Sequence, residues 1–204
     1  FRDTVEASQA AADIAVLKAT LDGKPFGVRL DREPDAPPHR FILRLFHPRE
    51  ALALSDILPP AENLGLRVLS EAPFLLSKGG SEEVALQVLT VETANKSAVD
   101  LAASGPRFTE TLERLMSGAL ENDGFNRLVL GAGLGWREVT VLRAYAKYLR
   151  QAGVPFSQDY MERALMAYPA IARGLVDLFG ARLDPALGEA RSDARNARVE
   201  AVEA

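Results

Sequence analysis

Apolar positions recur at helical spacing at the start of the chain and then switch to alternation. Ala7, Ala10, Ile14, Leu17 and Leu21 fall on one helical stripe, with Thr4 available as a cap. Asp22-Gly23 stops that helix and Pro25 prevents its resumption. Phe26, Val28 and Leu30 then alternate with Gly27, Arg29 and Asp31, which predicts a half-buried strand over residues 26–32. The stretch EPDAPPH, residues 33–39, holds three prolines and two acids and predicts a loop. FILRLF, residues 41–46, is apolar on both faces except at Arg44, the pattern of a central strand.

Residues 48–63 read as a helix beginning at Pro48, with Leu52, Ile57 and Leu58 inward. Pro59-Pro60 should end its regular part or distort it. Gly65 predicts a turn, and LRVLSEAPFLL predicts a third strand interrupted near Pro73. Lys78-Gly79-Gly80-Ser81 predicts a hairpin turn. In the strand that follows, Val84, Leu86 and Val88 face one way and Ala85, Leu89 and Val91 the other.

From about Asp100 the pattern is helical. Pro106 predicts the first turn of a helix whose stripe is Phe108, Leu112, Leu115 and Ala119. Asp123 can cap the next segment. Trp136, Val139, Leu142, Ala146 and Leu149 then form an apolar stripe opposite Arg143, Lys147 and Arg150. Gly153-Val154-Pro155 stops that helix and Ser157 caps another. Tyr168-Pro169 and Asp184-Pro185 each restart the chain at a proline. The closing EARSDARNARVEAVEA has few large apolar residues and predicts a solvated helix.

The order β-α-β-β-α over residues 41–120 is the core of a ferredoxin-like or ACT-type sandwich. Its usual last strand is missing, and the strand at 26–32 can fill that slot by hairpin. The predicted class is α+β, a four-stranded antiparallel ACT-like sheet in a permuted version with helices on one face, followed by a helical region. Residues 1–122 are the expected ACT-like domain with an N-terminal helix, and residues 123–204 the helical region.

Composition narrows the function. A net charge of −4 gives no general attraction to nucleic acid or to an anionic membrane. The chain has no cysteine, which excludes disulfides and thiolate metal sites and suits a reducing, cytoplasmic setting. No apolar run approaches the roughly 20 residues that cross a bilayer. The chain opens on Phe1, not methionine, as a piece of a longer polypeptide would.

Candidate chemistry is sparse. The run LVLGAGLG, with Gly131, Gly133 and Gly135, suggests a phosphate loop, yet its third glycine comes one position early for G-x-G-x-x-G. No acid lies at the expected distance beyond it, where Lys147 to Gln151 stand. Close helix packing, or a bend, explains the glycines more simply. His39 and His47 are the only histidines and lack the further ligands a zinc site needs. His47, Arg49 and Glu50 occupy the first strand-to-helix turn, where a helix N-terminus can bind an anionic effector; the blander reading is solvated polar residues. The carboxylate pairs Glu82-Glu83 and Asp31/Glu33 fall in turns and suggest no general acid and base. Serines 55, 70, 77 and 81 lack an identifiable base. The Arg137, Arg143, Lys147, Arg150 face reads as a solvated helix face before it reads as a docking surface, and Trp136 as an anchor between helices.

Two long blocks carry a resemblance. ALSDILPPAENLGLRVLSEAPF, residues 53–74, and DGFNRLVLGAGLGWREVTVLRAYAKYLRQAGVPFSQDYMERAL, residues 123–165, resemble segments of the large NAD-specific glutamate dehydrogenases, and IARGLVDLFGARLDP, residues 171–185, continues the match. The resemblance implies a very large parent enzyme with ACT-type regulatory units ahead of its catalytic domain, oxidising L-glutamate to 2-oxoglutarate and ammonia with NAD. The glycine-rich, lysine-bearing catalytic block and the dinucleotide fingerprint have no counterpart in these 204 residues. No catalytic, cofactor-binding or metal residue is therefore carried over, and NAD is expected to belong to the parent enzyme alone. The implied role is regulatory and structural. The implied partners are the rest of the polypeptide and other subunits of a homo-oligomer. The alternative is an amino-acid-sensing module, with His47, Arg49 and Glu50 as its effector residues, and the third reading is nucleotide binding at Gly131 to Gly135.

Overall fold

The alternation in the first half folds into a four-stranded antiparallel sheet in the computed structural model, which describes residues 7–32, 35–77, 83–183, 196 and 199–200. Helix α1 (Ala7–Leu21) precedes strands β1 (Gly27–Asp31) and β2 (Arg40–Pro48). Helix α2 (Leu54–Asn63), strands β3 (Leu66–Ser77) and β4 (Glu83–Thr93), and helix α3 (Leu101–Met116) follow. The sheet order is β1-β2-β4-β3, so β1 fills the slot beside β2 by hairpin, as the permuted topology requires. These elements form one unit, Phe1–Asp123, and the helices from Gly124 onward form a second.

Both faces of the sheet are covered. Phe41, Leu43, Leu45, Leu89 and Val91, all almost fully buried, face the layer of α2 and α3, which supplies Ile57, Ala61, Leu64, Phe108 and Leu112. Phe46, Val84 and Leu86 point the other way, toward Val16, Leu17 and Leu21 of α1. Two helices thus lie on the expected face, and α1 caps the opposite one. A bulge between Val68 and Ser70 makes both arrangements possible along β3. The extra residue, Leu69, reverses the alternation, so Leu66 faces the α2 side while the later even-numbered Phe74 packs with Phe46 and Leu86.

Prolines caused the errors in element boundaries. Pro48 ends β2 and does not start a helix; α2 begins at Leu54 and continues through Pro59 and Pro60 to Asn63. The carbonyls these prolines leave unbonded belong to Ser55 and Asp56, both exposed, so water can satisfy them. Likewise α3 begins at Leu101, where the Asp100 carboxylate accepts from the Ala102 N–H at 2.9 Å, and Pro106 lies inside the helix. Pro73 does not interrupt β3, because β3 is an edge strand and an edge tolerates a missing donor.

The second unit contains a 3-10 turn (Gly124–Arg127), α4 (Leu128–Gly131), α5 (Trp136–Gln151), α6 (Gln158–Ala167) and α7 (Pro169–Leu183). The Ser157 hydroxyl caps α6, accepting from the Tyr160 N–H at 3.1 Å. Phe125, Leu128, Leu134, Val139 and Ala172 form its buried centre. The expectations at Thr4, Glu33, residues 78–81, Glu82 and Asp184-Pro185 lie outside the described residues. Of the closing segment, only Asn196, Val199 and Glu200, all helical, are described. Among the described residues no single helix is long and apolar enough to cross a membrane.

Candidate functional site

His47 stands near the end of β2, paired with Ala85, and Arg49 and Glu50 begin the loop that follows. The His47 Nδ1 lies 2.9 Å from the Glu50 carbonyl oxygen, and its ring meets Phe26 edge-on at 6.4 Å between centroids. Arg49 has φ of 73°, a left-handed conformation that a side chain normally avoids, held by its N–H donating to the Glu83 carbonyl at 2.9 Å. The structure brings the three residues together, but α2 starts only at Leu54. His47 therefore stands half-buried on the strand and Arg49 and Glu50 on an exposed loop, none on the first turn of a helix, which removes the helix-dipole argument for an anion there.

Gln87 holds this loop and was missed in the sequence. Almost fully buried on the α2 side of β4, it accepts from the Leu52 N–H at 2.8 Å and donates back to the Leu52 carbonyl at 3.0 Å. Its amide also donates to the Glu71 carboxylate at 3.0 Å, tying the loop to β3. A lone glutamine in EVALQVLTVE was the available signal.

The glycine run folds as a turn between helices, not as a continuous helix. Gly131 closes α4, where a Cβ would meet Met166 Cε of α6 at 2.7 Å. Gly133 has φ of 63°. The Arg173 guanidinium of α7 donates to the neighbouring Ala132 carbonyl. Gly135 caps α5, its N–H donating to the Glu138 carboxylate at 2.6 Å. Each glycine is thus matched to a neighbouring helix or to the turn itself, which is the packing reading of the motif.

Arg143 leaves the expected solvated basic face. It is almost fully buried and its Nη2 donates to the Asn126 Oδ1 at 2.8 Å, while Lys147 and Arg150 remain exposed. Trp136 opens α5 half-buried, with the Arg137 guanidinium 4.9 Å from its ring centroid. Leu142, Leu149, Tyr160, Leu175, Phe179 and Arg182 help line an apolar groove of about 510 Å³ between α5, α6 and α7.

A four-charge cluster lies under α1. Arg29 donates to Asp13 at 2.5 Å and to Asp31 at 2.7 Å, and Arg44 donates to Asp31 at 2.6 Å. Burial pushes the Asp13 carboxyl above the usual carboxylate range, against the opposing pull of Arg44 and Arg29. Arg44, the single charge in an otherwise apolar strand, was its mark in the sequence. His39 sits 3.8 Å from the buried Glu92. Among the described residues no group of three or more His, Asp or Glu could hold a metal ion.

Sheet order, helix layer and glycine turn together define an ACT-like α+β domain joined to a small helical unit. Residues 25–104 match the family model described as glutamate dehydrogenase, ACT3 domain, and residues 120–185 match glutamate dehydrogenase, helical motif 3. The NAD-specific glutamate dehydrogenase of Halomonas elongata is 37% identical over 186 residues, covering 91% of this chain and 12% of that protein. Those of Pseudomonas aeruginosa and Mycobacterium tuberculosis are 36% and 35% identical, covering 89% and 91% of this chain and 11% and 12% of theirs. The chain belongs to the NAD-specific glutamate dehydrogenase family, as a segment carrying its ACT3 domain and helical motif 3. It spans about one-eighth of the length of these relatives.

Proposed function

We propose that this chain is a non-catalytic, regulatory and structural segment of an NAD-dependent glutamate dehydrogenase. The parent reaction is the conversion of L-glutamate, NAD and water to 2-oxoglutarate, ammonia and NADH. The single observation carrying this reading is the folding of Gly131 to Gly135 into a turn packed under Arg173 and Met166, within the matched helical motif. The one nucleotide-like motif in the chain is thereby given a packing role. NAD binding and glutamate chemistry then belong to other parts of the parent polypeptide. The groove lined by Leu142, Tyr160 and Phe179 supports the structural half of the proposal, since an apolar surface of this kind suits packing against further protein.

The test is glutamate-dependent NADH formation, followed by its absorbance, by the 204-residue chain and by the parent enzyme. Activity in the parent and none in the chain is the expected result; turnover by the chain would overturn the assignment. The second reading, amino-acid sensing at His47, Arg49 and Glu50, is favoured only by the pinned left-handed Arg49. Calorimetry of the chain against a panel of amino acids decides it, with heat lost on Arg49→Ala as the supporting outcome and no heat from any of them as the refuting one.

A further inference from the structure

The helical unit exposes its aromatic residues. All four tyrosines of the chain, Tyr145, Tyr148, Tyr160 and Tyr168, lie in it and are at least 46% exposed. Tyrosine is enriched where proteins meet, because a rigid ring adds contact area at low entropic cost. Tyr145 and Tyr160 line the apolar groove between α5, α6 and α7, together with Leu149, Leu175 and Leu183, which are between 41% and 58% exposed. The Tyr145 ring meets Phe179 edge-on at 6.0 Å, and Tyr160 stacks on Phe156 at 4.8 Å between centroids, so both walls are set before anything docks. Walls this exposed leave a small ligand half in water, whereas a protein segment can cover lining and rim together.

Charge and backbone chemistry constrain the occupant. Among the described residues Arg182 is the charged one in the lining, and no acid lines it. Arg150, exposed and four residues beyond Ala146 of the lining, adds a second cation on the same side of α5. The exposed acids of these helices are engaged or turned away. Asp159 pairs with Arg163 at 2.9 Å, and Asp177 stands two positions from both Leu175 and Phe179, hence on another face of α7. Residues 124–183 carry eight basic and four acidic side chains in a chain whose net charge is −4. The same face of a second copy would bring cation to cation, so an acidic partner is favoured. The described residues of this unit include no strand edge, and an extended segment would lie on the apolar lining with its backbone unpaired; a helix satisfies its own backbone. The closing residues 184–204 offer only Leu187, Val199 and Val202 as large apolar side chains, too sparse for a stripe.

We propose that this groove is the docking site for an amphipathic helix of the parent polypeptide outside these 204 residues. Its apolar stripe seats against Tyr145, Tyr160 and Phe179, and an Asp or Glu beside the stripe faces Arg182 and Arg150. The site presupposes that the chain is a structural part of a glutamate dehydrogenase. The relatives, of which it spans about one-eighth, have ample further chain to supply such a helix. Docking buries the exposed rings of the groove, so the apolar stripe carries the affinity, and the ion pair at its edge fixes the register.

Photo-cross-linking in the parent enzyme tests this. Benzoylphenylalanine replaces Tyr160 in the groove or, as a control, the exposed Thr140 on another face of α5, and the joined peptides are identified by mass spectrometry. The expected result is a cross-link from position 160, and not from 140, to one segment outside residues 1–204. That segment should be apolar at i, i+3 or i+4, and i+7, with an Asp or Glu beside the stripe. A synthetic peptide of it should bind the 204-residue chain, with affinity lowered about tenfold or more by Leu149→Asp and at least about threefold by Arg182→Glu. A cross-link to the same face of a second subunit, to residues 1–123 or 184–204, or to a segment without that pattern would overturn the docking site. So would the absence of a cross-link from position 160, a peptide that does not bind, or an affinity unmoved by both substitutions. Should the position 160 variant not assemble, Leu149 carries the label. Glutamate turnover by the 204-residue chain is a separate failure, which overturns the non-catalytic reading; a solvent-filled groove in an active parent overturns the docking alone.

Discussion

Gly133→Ala is expected to destabilise the helical unit through two separable effects. The first is conformational. At φ of 63° an alanine enters the left-handed region, at about 1–2 kcal/mol. The second is steric, because the added Cβ would stand 2.9 Å from Arg173 Nη2. That atom ends a flexible side chain and can retreat, but retreat weakens its bond to the Ala132 carbonyl, at about 1 kcal/mol. The sum is about 2–3 kcal/mol, or a urea midpoint lowered by roughly 1–2 M. Trp136 is the only tryptophan in the chain and stands three residues further on, so its fluorescence reports this unit directly. Gly174→Ala provides the opposite sign. It lies in α7 with open space around its Cβ position, and should stabilise by about 0.5–1 kcal/mol. A neutral or stabilising Gly133→Ala would refute the account of the turn.

Two further substitutions follow the same logic. Arg143→Ala should lower stability by about 2–4 kcal/mol, since it empties a buried site and removes a hydrogen bond to Asn126, whereas Arg150→Ala on the exposed side should change it by no more than about 0.5 kcal/mol; thermal unfolding of both variants checks the contrast. Gln87→Leu leaves both the Leu52 N–H and carbonyl without their side-chain partner, which should cost about 1–3 kcal/mol and appear first as faster exchange of the Leu52 amide.

The strands were legible because alternation is a direct imprint of two-faced burial. The 26–32 hairpin strand could be placed beside β2 from topology alone. The starts of α2 and α3 were not legible, because Pro48 and Pro106 were both read through the preference of proline for a first helical turn. In the fold, strand pairing with Val84 claims Pro48, and the Asp100 cap starts α3 five residues earlier than the proline rule suggests. Burial of charge was the other blind spot. Arg143 shares a helix with Lys147 and Arg150, yet it is buried against Asn126, a partner distant in sequence, while they remain exposed. The same holds under α1, where Asp13 and Arg44 meet across 31 positions of chain. The His47, Arg49 and Glu50 grouping was legible as a neighbourhood. Its setting was not, because it depended on where the following helix begins.

The bulge at Leu69 has a bearing on assembly. Strand β3 is an edge, and an edge strand ordinarily offers its unpaired backbone to any passing chain. Here the regular repeat is broken at Leu69, and a few positions later Pro73 has no N–H to donate. A neighbouring strand laid along β3 would lose register at one point and a bond at the other. On this side the sheet is a poor template for a further strand, which leaves β1 as its other edge.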